Sequence, residues 1–528
     1  MRLLKTTALL FLTFIATRIY ANNLGAYVTV INSSNTACTV SASNWNTSGI
    51  TSPWDNGLSW SNNSIAGGTS FPAAYIEEND LYDGTSTGII TITPAGGTPV
   101  SVTIYEASAT YSCTVGGNTK TNLVSVMATA APGTGAQWAI TVYLLPGIPV
   151  SNAWMSNDPA IQSSSLMQIT IPGAHDAAMS QANPCSTFAN PYSTQTQTLN
   201  FRDLCQSGVR LFDCRPVITS NSSAIMLGHY GWVSADDAQS ALAKLPAPIS
   251  QYLCNSLNGW CTYQLNNQYC LGLRLDTALS QIHSYMQSVK NNHEVVILEF
   301  SHYGDLVLNN IQYPFFTANE MQTLMTQIRD SLGDFLYVND PNFLNTTIRQ
   351  ITAGGSKVIV MMDANNPLPP PGNPSLGMYN TPQNVVNMYA GTNNYQAMID
   401  SEFLHRIQYP NSYYVFSWTL TQSPVQAALG VIPPSGYASF VSGMQFAAGQ
   451  VPGGTTILNN YLAEYPYQSI INMTQNMLNQ VNYLPQLNSA LRAAKDFQNL
   501  PYPNVFYADL IGPIHFYEVQ QLNAMRGK

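Results

Sequence analysis

Three short segments carry residue types that could do chemistry together. In Ile171-Pro172-Gly173-Ala174-His175-Asp176, Pro and Gly turn the chain after an apolar run and leave His175 and Asp176 at its end. In Gly208-Val209-Arg210-Leu211-Phe212-Asp213-Cys214-Arg215, the period of two of a strand puts Asp213 and Arg215 on one face and Cys214 on the other. A carboxylate beside an arginine preorganises the guanidinium to hold an oxyanion, although such a pair also serves as a purely structural ion pair. In Leu227-Gly228-His229-Tyr230-Gly231, His229 lies between glycines that let a ligand approach. Two histidines and an arginine supply one base, one acid and one cation, which is what cleavage of a phosphodiester by an internal hydroxyl needs. Histidine suits both proton transfers because its ordinary pKa lies near neutrality.

These groups need a scaffold that brings them to one rim. Beyond residue 149, apolar strand-like runs at 166–170, 209–213, 225–228, 295–300, 358–363, 413–418 and 505–509 alternate with helical patterns. Helical spacing is clear in Leu275, Leu279, Ile282 and Met286, and in Met321, Leu324, Met325, Ile328 and Leu332. The pattern predicts an α/β fold, a TIM-type (β/α) barrel with one strand irregular, whose chemistry lies at the C-terminal strand ends. Residues 22–148 read differently. Short β-branched runs alternate there with Gly, Ser, Asn and Pro clusters, which predicts an all-β sandwich, and Leu145-Pro146-Gly147-Ile148-Pro149 reads as the linker to the barrel domain at 149–528.

Only 9% of the 528 residues are charged, and 18 basic against 27 acidic residues leave a net charge of -9. That balance carries no footprint for nucleic acid. Arg2 and Lys5, the apolar run at 8–15 and Ala21 predict a signal peptide over 1–21, hence a secreted protein. Eight cysteines suit a disulfide framework in an oxidising compartment, with Cys38 and Cys113, the two in the β-rich region, the simplest pair. Six Asn-x-Ser/Thr sequons, at Asn32, Asn46, Asn62, Asn221, Asn345 and Asn472, are candidate glycosylation sites.

From about residue 154 to 520 the chain resembles the X-domain of phosphatidylinositol-specific phospholipases C. The resemblance rests on 171–176, on Gln195-Thr196-Gln197 through 208–215, on Glu294-Val295-Val296-Ile297-Leu298-Glu299-Phe300, on Ser417-Trp418-Thr419-Leu420-Thr421 and on Val505-Phe506-Tyr507-Ala508-Asp509. It implies His175 as general base partnered by Asp509, His229 as general acid held by Asp176, and Arg215, oriented by Asp213, stabilising charge on the phosphorus. The substrate it implies is a phospholipid at a membrane surface, with a cyclic inositol phosphate as product and no protein partner.

Calcium-dependent members carry two carboxylates two residues apart where this chain has Asp213 and Arg215, and Asn where it has Asp176. No metal and no Ca²⁺ requirement is therefore expected. Tyr230, intervening where a glycine usually follows the second histidine, is a departure. Glu299 either points into the barrel toward substrate or pairs with a strand neighbour, and Trp418 packs the rim or contacts the headgroup. Two other readings are open at this point: a glycerophosphodiesterase or sphingomyelinase D relative using Mg²⁺, and a catalytically inactive secreted binding protein.

Overall fold

The structure, a computed structural model, describes residues 26–526 apart from 33–36, 46–53, 67–68, 79–85, 108–109, 117–123, 131–137, 145–151, 187–188, 220–221, 233–241, 257–266, 308–314, 364–371, 424–425, 427–433, 465–469, 471–472, 475–476 and 478–500. The expected signal peptide and the 145–149 linker lie outside the described residues. The chain divides into two compact units, one of residues 1–149, 246–256 and 432–460, the other of 150–245, 257–431 and 461–528.

In the first unit, alternate residues of Ser86–Pro94 are buried, the mark of a strand with one covered face. Two five-stranded sheets form. One runs in the order Trp54–Asn56, Thr69–Glu78, Ala26–Asn32, Trp138–Leu144, Val124–Ala130, and the other Asn63–Ile65, Cys38–Ser43, Ser86–Pro94, Val100–Ala107, Thr110–Gly116. Val28, Val30, Ile140 and Val142 from the first share one buried cluster with Val40, Ile90, Ile92 and Val102 from the second.

Two sequence expectations fail here. Cys38 is a free buried thiol, because its strand is separated from that of Cys113 by two intervening strands. At roughly 4.8 Å per strand that puts the backbones about 14 Å apart, twice the reach of a disulfide. Asn32 cannot carry a glycan, since its side chain is fully buried and donates to the carbonyls of Ile65 and Ala66 at 3.1 and 3.2 Å.

The second unit is built on an eight-stranded parallel sheet, whose strands we label β1 (Ile171–Ala174), β2 (Leu211–Cys214), β3 (Val295–Phe300), β4 (Lys357–Met362), β5 (Met378–Asn380), β6 (Val385–Asn387), β7 (Tyr413–Trp418) and β8 (Val505–Ala508). Each pairs with the next in sequence except β5 with β6, and β8 returns to pair with β1, so the sheet curls into a barrel open between β5 and β6 among the described residues. Odd-numbered residues face inward: Leu211, Ile297, Ile359, Met361, Val415, Val505 and Tyr507 share one buried cluster. Even-numbered residues face the helices, as where Phe212 stacks on Phe201 of the helix Phe201–Gln206 at 5.2 Å. The two expected helices form as Leu275–Ser288 and Ala318–Leu332, the latter opened by a Thr317–Glu320 capping box.

The barrel differs from expectation in two places. Residues 166–170 are not a strand; Leu166–Gln168 is a 3-10 turn in which the Gln168 side chain accepts the Ser165 amide at 3.0 Å. Residues 225–228 lie inside a longer strand, Ser222–Trp232, that pairs antiparallel with Asn267–Arg274 in a separate four-stranded sheet, while the short β5 and β6 complete the barrel.

Candidate active site

The ends of β1, β2 and β8 converge because the three strands are adjacent and in parallel register, Gly173 beside both Leu211 and Tyr507. Gly173 makes that approach possible, since a Cβ there would lie 2.7 Å from Val505 Cγ1. The inward phase that carries Leu211 and Tyr507 continues to Asp213 within β2 and past the strand ends to Arg215 and Asp509, with His175 beside them.

His175 Nδ1 lies 2.6 Å from Asp509 Oδ1, and His175 Nε2 lies 3.0 Å from Arg215 Nη2. A guanidinium only donates, so Nε2 accepts and the proton sits on Nδ1, pointed at Asp509. Gln197 fixes the backbone of this pair by donating to the carbonyls of His175 and Ala508 at 2.8 and 3.0 Å. Burial would lower the His175 imidazole, but Asp176 and Asp509 outweigh it and hold it above its usual value.

Asp176 adopts a left-handed backbone, φ 41°, which costs a non-glycine residue strain and aims its carboxylate back across the site. That carboxylate touches three cationic or titrating groups: Arg215 Nε at 2.7 Å, His229 Nδ1 at 3.2 Å and His175 Nε2 at 3.3 Å. Its oxygens are held by charge contacts, while the well-aligned Arg215 Nε–H bond goes to Asp213 Oδ2 at 3.0 Å.

Asp213 has every oxygen engaged. Oδ2 accepts from Arg215 and, at 2.6 Å, from the Tyr507 hydroxyl, and Oδ1 accepts from Ser301 Oγ at 3.2 Å. Burial would raise its carboxyl, yet Arg215 and His175 outweigh burial and hold it well below the usual carboxylate range. Arg215 also donates to the Tyr389 hydroxyl at 2.9 Å, and the Tyr389 ring sits 5.6 Å from that of His175.

His229 enters from the separate sheet. Its ring centre is 6.4 Å from that of His175, and its Nδ1 faces the Thr194 carbonyl at 3.2 Å. Burial, then Arg215 and His175, hold it below its usual value against the pull of Asp176. Its strand is anchored through its neighbour: His229 pairs with Cys270, which is disulfide-bonded to Cys185 in the segment after β1. Gly228 serves this packing rather than ligand approach, since a Cβ there would lie 2.9 Å from the Cys270 carbonyl.

Glu299 is buried and inward-facing, in register with Asp213. Trp418, expected to pack the rim or contact substrate, is instead fully buried on the outward face of β7, its ring 5.9 Å from Phe416 and 5.6 Å from Phe506. The inward neighbour is Ser417, so Trp418 packs against the surrounding shell.

Sequence reasoning missed Tyr389, Tyr507, Ser301 and His302. Tyr507 was legible in principle, two residues before Asp509 on the inward face of β8. Tyr389 follows a three-residue strand with no periodic signal. His302 is 2.8 Å from the Ser301 hydroxyl that holds Asp213, and Arg215, helped by burial, lowers it to about 4.

Among the described residues, His175, Asp176 and Asp213 could bring three metal-ligand atoms within 4.8 Å of one another. The Arg215 guanidinium contacts all three, so an ion there would have to displace a buried cation from its carboxylates.

No protein-family model and no curated protein sequence matches the chain. Among solved structures it is similar to the phosphatidylinositol-specific phospholipase C of Listeria monocytogenes, at 12% identity and TM-score 0.40 over 70% of this chain and 98% of that one. It is also similar to that of Staphylococcus aureus, at 14% identity and TM-score 0.38 over 70% and 97%. A third likeness, to S. officinalis PLC21, has 10% identity and TM-score 0.22 over 39% and 20%. At such scores the functional reading has to stand on the residues of the site.

Proposed function

We propose that this chain is a secreted phosphodiesterase of the phosphatidylinositol-specific phospholipase C type, acting on inositol phospholipids at a membrane surface without a metal ion. The observation that carries the reading is the placement of the Arg215 guanidinium against His175 Nε2 with His229 across the same rim.

In this reading the substrate phosphate takes the place of His175 on the Arg215 fork, while Tyr389 keeps hold of Arg215. His175 Nε2, freed from its donor, accepts the proton of the inositol 2-hydroxyl, and Asp509 stabilises the imidazolium through Nδ1–H. The hydroxyl oxygen bonds to phosphorus, the bond to the diacylglycerol oxygen breaks, and His229 Nε2 delivers a proton to that oxygen. Arg215 neutralises the charge that builds on the phosphoryl oxygens. The product is a cyclic inositol phosphate and a neutral diacylglycerol.

The free site holds His175 high and His229 low, the reverse of what a base and an acid need. A bound phosphodiester anion raises His229, as an acid needs, by putting negative charge beside its ring, while His175 serves as base from its neutral form. Metal independence is supported by Arg215 holding the very groups an ion would need. Secretion is supported by the Cys185–Cys270 disulfide, and a β-sandwich reading of the first unit by the core its two sheets share.

Purified protein incubated with phosphatidylinositol in excess chelator is expected to release cyclic inositol phosphate, and His175→Ala to abolish it. Failure to form that product from any inositol phospholipid or glycosyl-phosphatidylinositol would overturn the reading, and activity that chelator removes and Mg²⁺ restores would favour a glycerophosphodiesterase-like enzyme.

A further inference from the structure

His229 reaches the site from the four-stranded sheet, whose strands run in the order Asn267–Arg274, Ser222–Trp232, Pro216–Thr219, Gly304–Asp305. Pro216–Thr219 continues the chain directly after Arg215, and Gly304–Asp305 lies just past β3. Successive side chains of a strand point to opposite faces. His229 looks into the site, toward Asp176 and the Thr194 carbonyl, so Tyr230 occupies the back of the same strand.

On that back face Tyr230 packs with Met226 and Tyr269 against Val217, Leu271 and Leu306. Its hydroxyl donates to the His302 carbonyl, and its ring lies over Gly304, where a Cβ would come within 2.6 Å of it. The segment that Tyr230 grips begins at Ser301, whose amide donates to the Cys214 carbonyl at 3.1 Å and whose hydroxyl donates to Asp213 Oδ1 at 3.2 Å. One loop therefore touches both the carboxylate that orients Arg215 and the residue next to His229. A glycine at position 230, as the phospholipase pattern usually has, would offer neither ring nor hydroxyl.

We propose that Tyr230 is a positioning residue: it ties the strand of His229 to the loop after β3 and so sets where His229 stands relative to the departing oxygen of a phosphodiester held by Arg215. The inference rests on the phosphodiesterase reading, in which His229 delivers the proton to that oxygen. It adds how an acid carried by a separate sheet is kept in register with an arginine at the barrel rim. The Cys185–Cys270 disulfide braces the His229 strand through its neighbour on the other side, so the strand is held from both edges. Misplacing a catalytic group by about 1 Å costs on the order of a hundredfold in rate.

The test compares two soluble substrates of the full-length protein. Short-chain phosphatidylinositol loses an alkoxide, which needs the proton, whereas inositol 1-(4-nitrophenyl phosphate) loses a phenolate that departs without one. Tyr230→Phe is expected to lower kcat on phosphatidylinositol by about threefold to tenfold and Tyr230→Gly by about thirtyfold or more, with KM within about twofold. Both variants should stay within about threefold of wild type on the nitrophenyl diester. Gly304→Ala, which leaves Tyr230 in place but crowds its ring, should copy the Tyr230→Phe loss and add less than about twofold to Tyr230→Gly. If Tyr230→Gly does not fold, Tyr230→Phe and Gly304→Ala carry the test. His229→Ala is the benchmark, with the same contrast between substrates on a scale of about a hundredfold or more.

Equal losses on the two substrates, a rise in KM in place of the fall in kcat, or full activity of Tyr230→Phe and Gly304→Ala on phosphatidylinositol would overturn the proposal and leave the phosphodiesterase reading standing. Wild type that cleaves neither substrate would remove that reading and the proposal with it.

Discussion

Asp213 and Glu299 occupy paired positions on adjacent parallel strands, and their surroundings drive the two carboxyls in opposite directions. Asp213, beside the Arg215 guanidinium, is held ionised, and Glu299, one strand away, keeps its proton to about pH 8.

That contrast predicts a stability profile. Glu299 has a folded value of about 8 against 4.5 for the ordinary group, so the folded state binds the extra proton between these values. Its contribution is complete below pH 4.5 and is lost as pH rises through 8; Asp213, lowered in the folded state, contributes above its ordinary value of 3.8 and loses this as pH falls. Buried Glu402, also raised to about 8 by burial, adds to the first effect. Melting temperature is therefore expected to be highest near pH 5 and to drop by several degrees toward pH 8 to 9, with Glu299→Gln flattening the decline. A thermal scan across pH checks this, and a profile that rises steadily to pH 8 in wild type would contradict it.

The His175–Asp509 contact predicts unequal losses. His175→Ala should reduce turnover of phosphatidylinositol by about 10²–10⁴-fold, the usual span for a general base. Asp509→Asn, which keeps the shape but favours the wrong imidazole tautomer, should lose a comparable factor in kcat with little change in KM. The rate should follow a bell-shaped pH profile, with His175 setting one limb and His229 the other. A profile that keeps both limbs in His229→Ala would refute that assignment.

Arg215 contacts His175, Asp176, Asp213 and Tyr389 with one planar fork, which a lysine cannot reproduce. Arg215→Lys is expected to cost about 10²–10³-fold in kcat, while chelator leaves wild-type turnover unchanged. Retention of full activity in Arg215→Lys would show that a point charge suffices.

Tyr389 is 38% exposed, so Tyr389→Phe should fold normally and remove its bond to Arg215 together with a longer contact, 3.3 Å, to the Tyr507 hydroxyl. A loss of about threefold to tenfold in kcat/KM is expected, the range for one hydrogen bond to a charged group. An unchanged kcat/KM with an unchanged melting temperature would mean that the hydroxyl does not matter to the bound state.

The Cys185–Cys270 disulfide closes a separation of 85 residues and braces the strand paired with that of His229. Cys185→Ser is expected to destabilise the protein by about 2–4 kcal/mol and to lower kcat more than it raises KM, because His229 loses its brace. Urea denaturation and steady-state kinetics on the same preparation separate the two effects.

What the sequence alone determined is local. His175 and Asp176 follow the Pro-Gly strand β1, Asp213 and Arg215 share the alternating face at the end of β2, and Asp509 follows apolar β8, so a period of two with a turn after it is enough to place such residues at a strand end. Strands β3 and β7 were legible to the residue for the same reason, and the two amphipathic helices by their 3.6 spacing.

What only the tertiary structure decided is pairing and phase. Which alternate face of β7 looks inward depends on its register with β8, so Ser417 rather than Trp418 reaches the interior. The same dependence put Cys38 beyond the reach of Cys113, took His229 out of the barrel into a neighbouring sheet, and brought Tyr389 from a loop without periodicity onto Arg215. Sequence spacing encodes what a few residues do along one strand, whereas contacts between distant segments follow from how strands pair and which faces they bury.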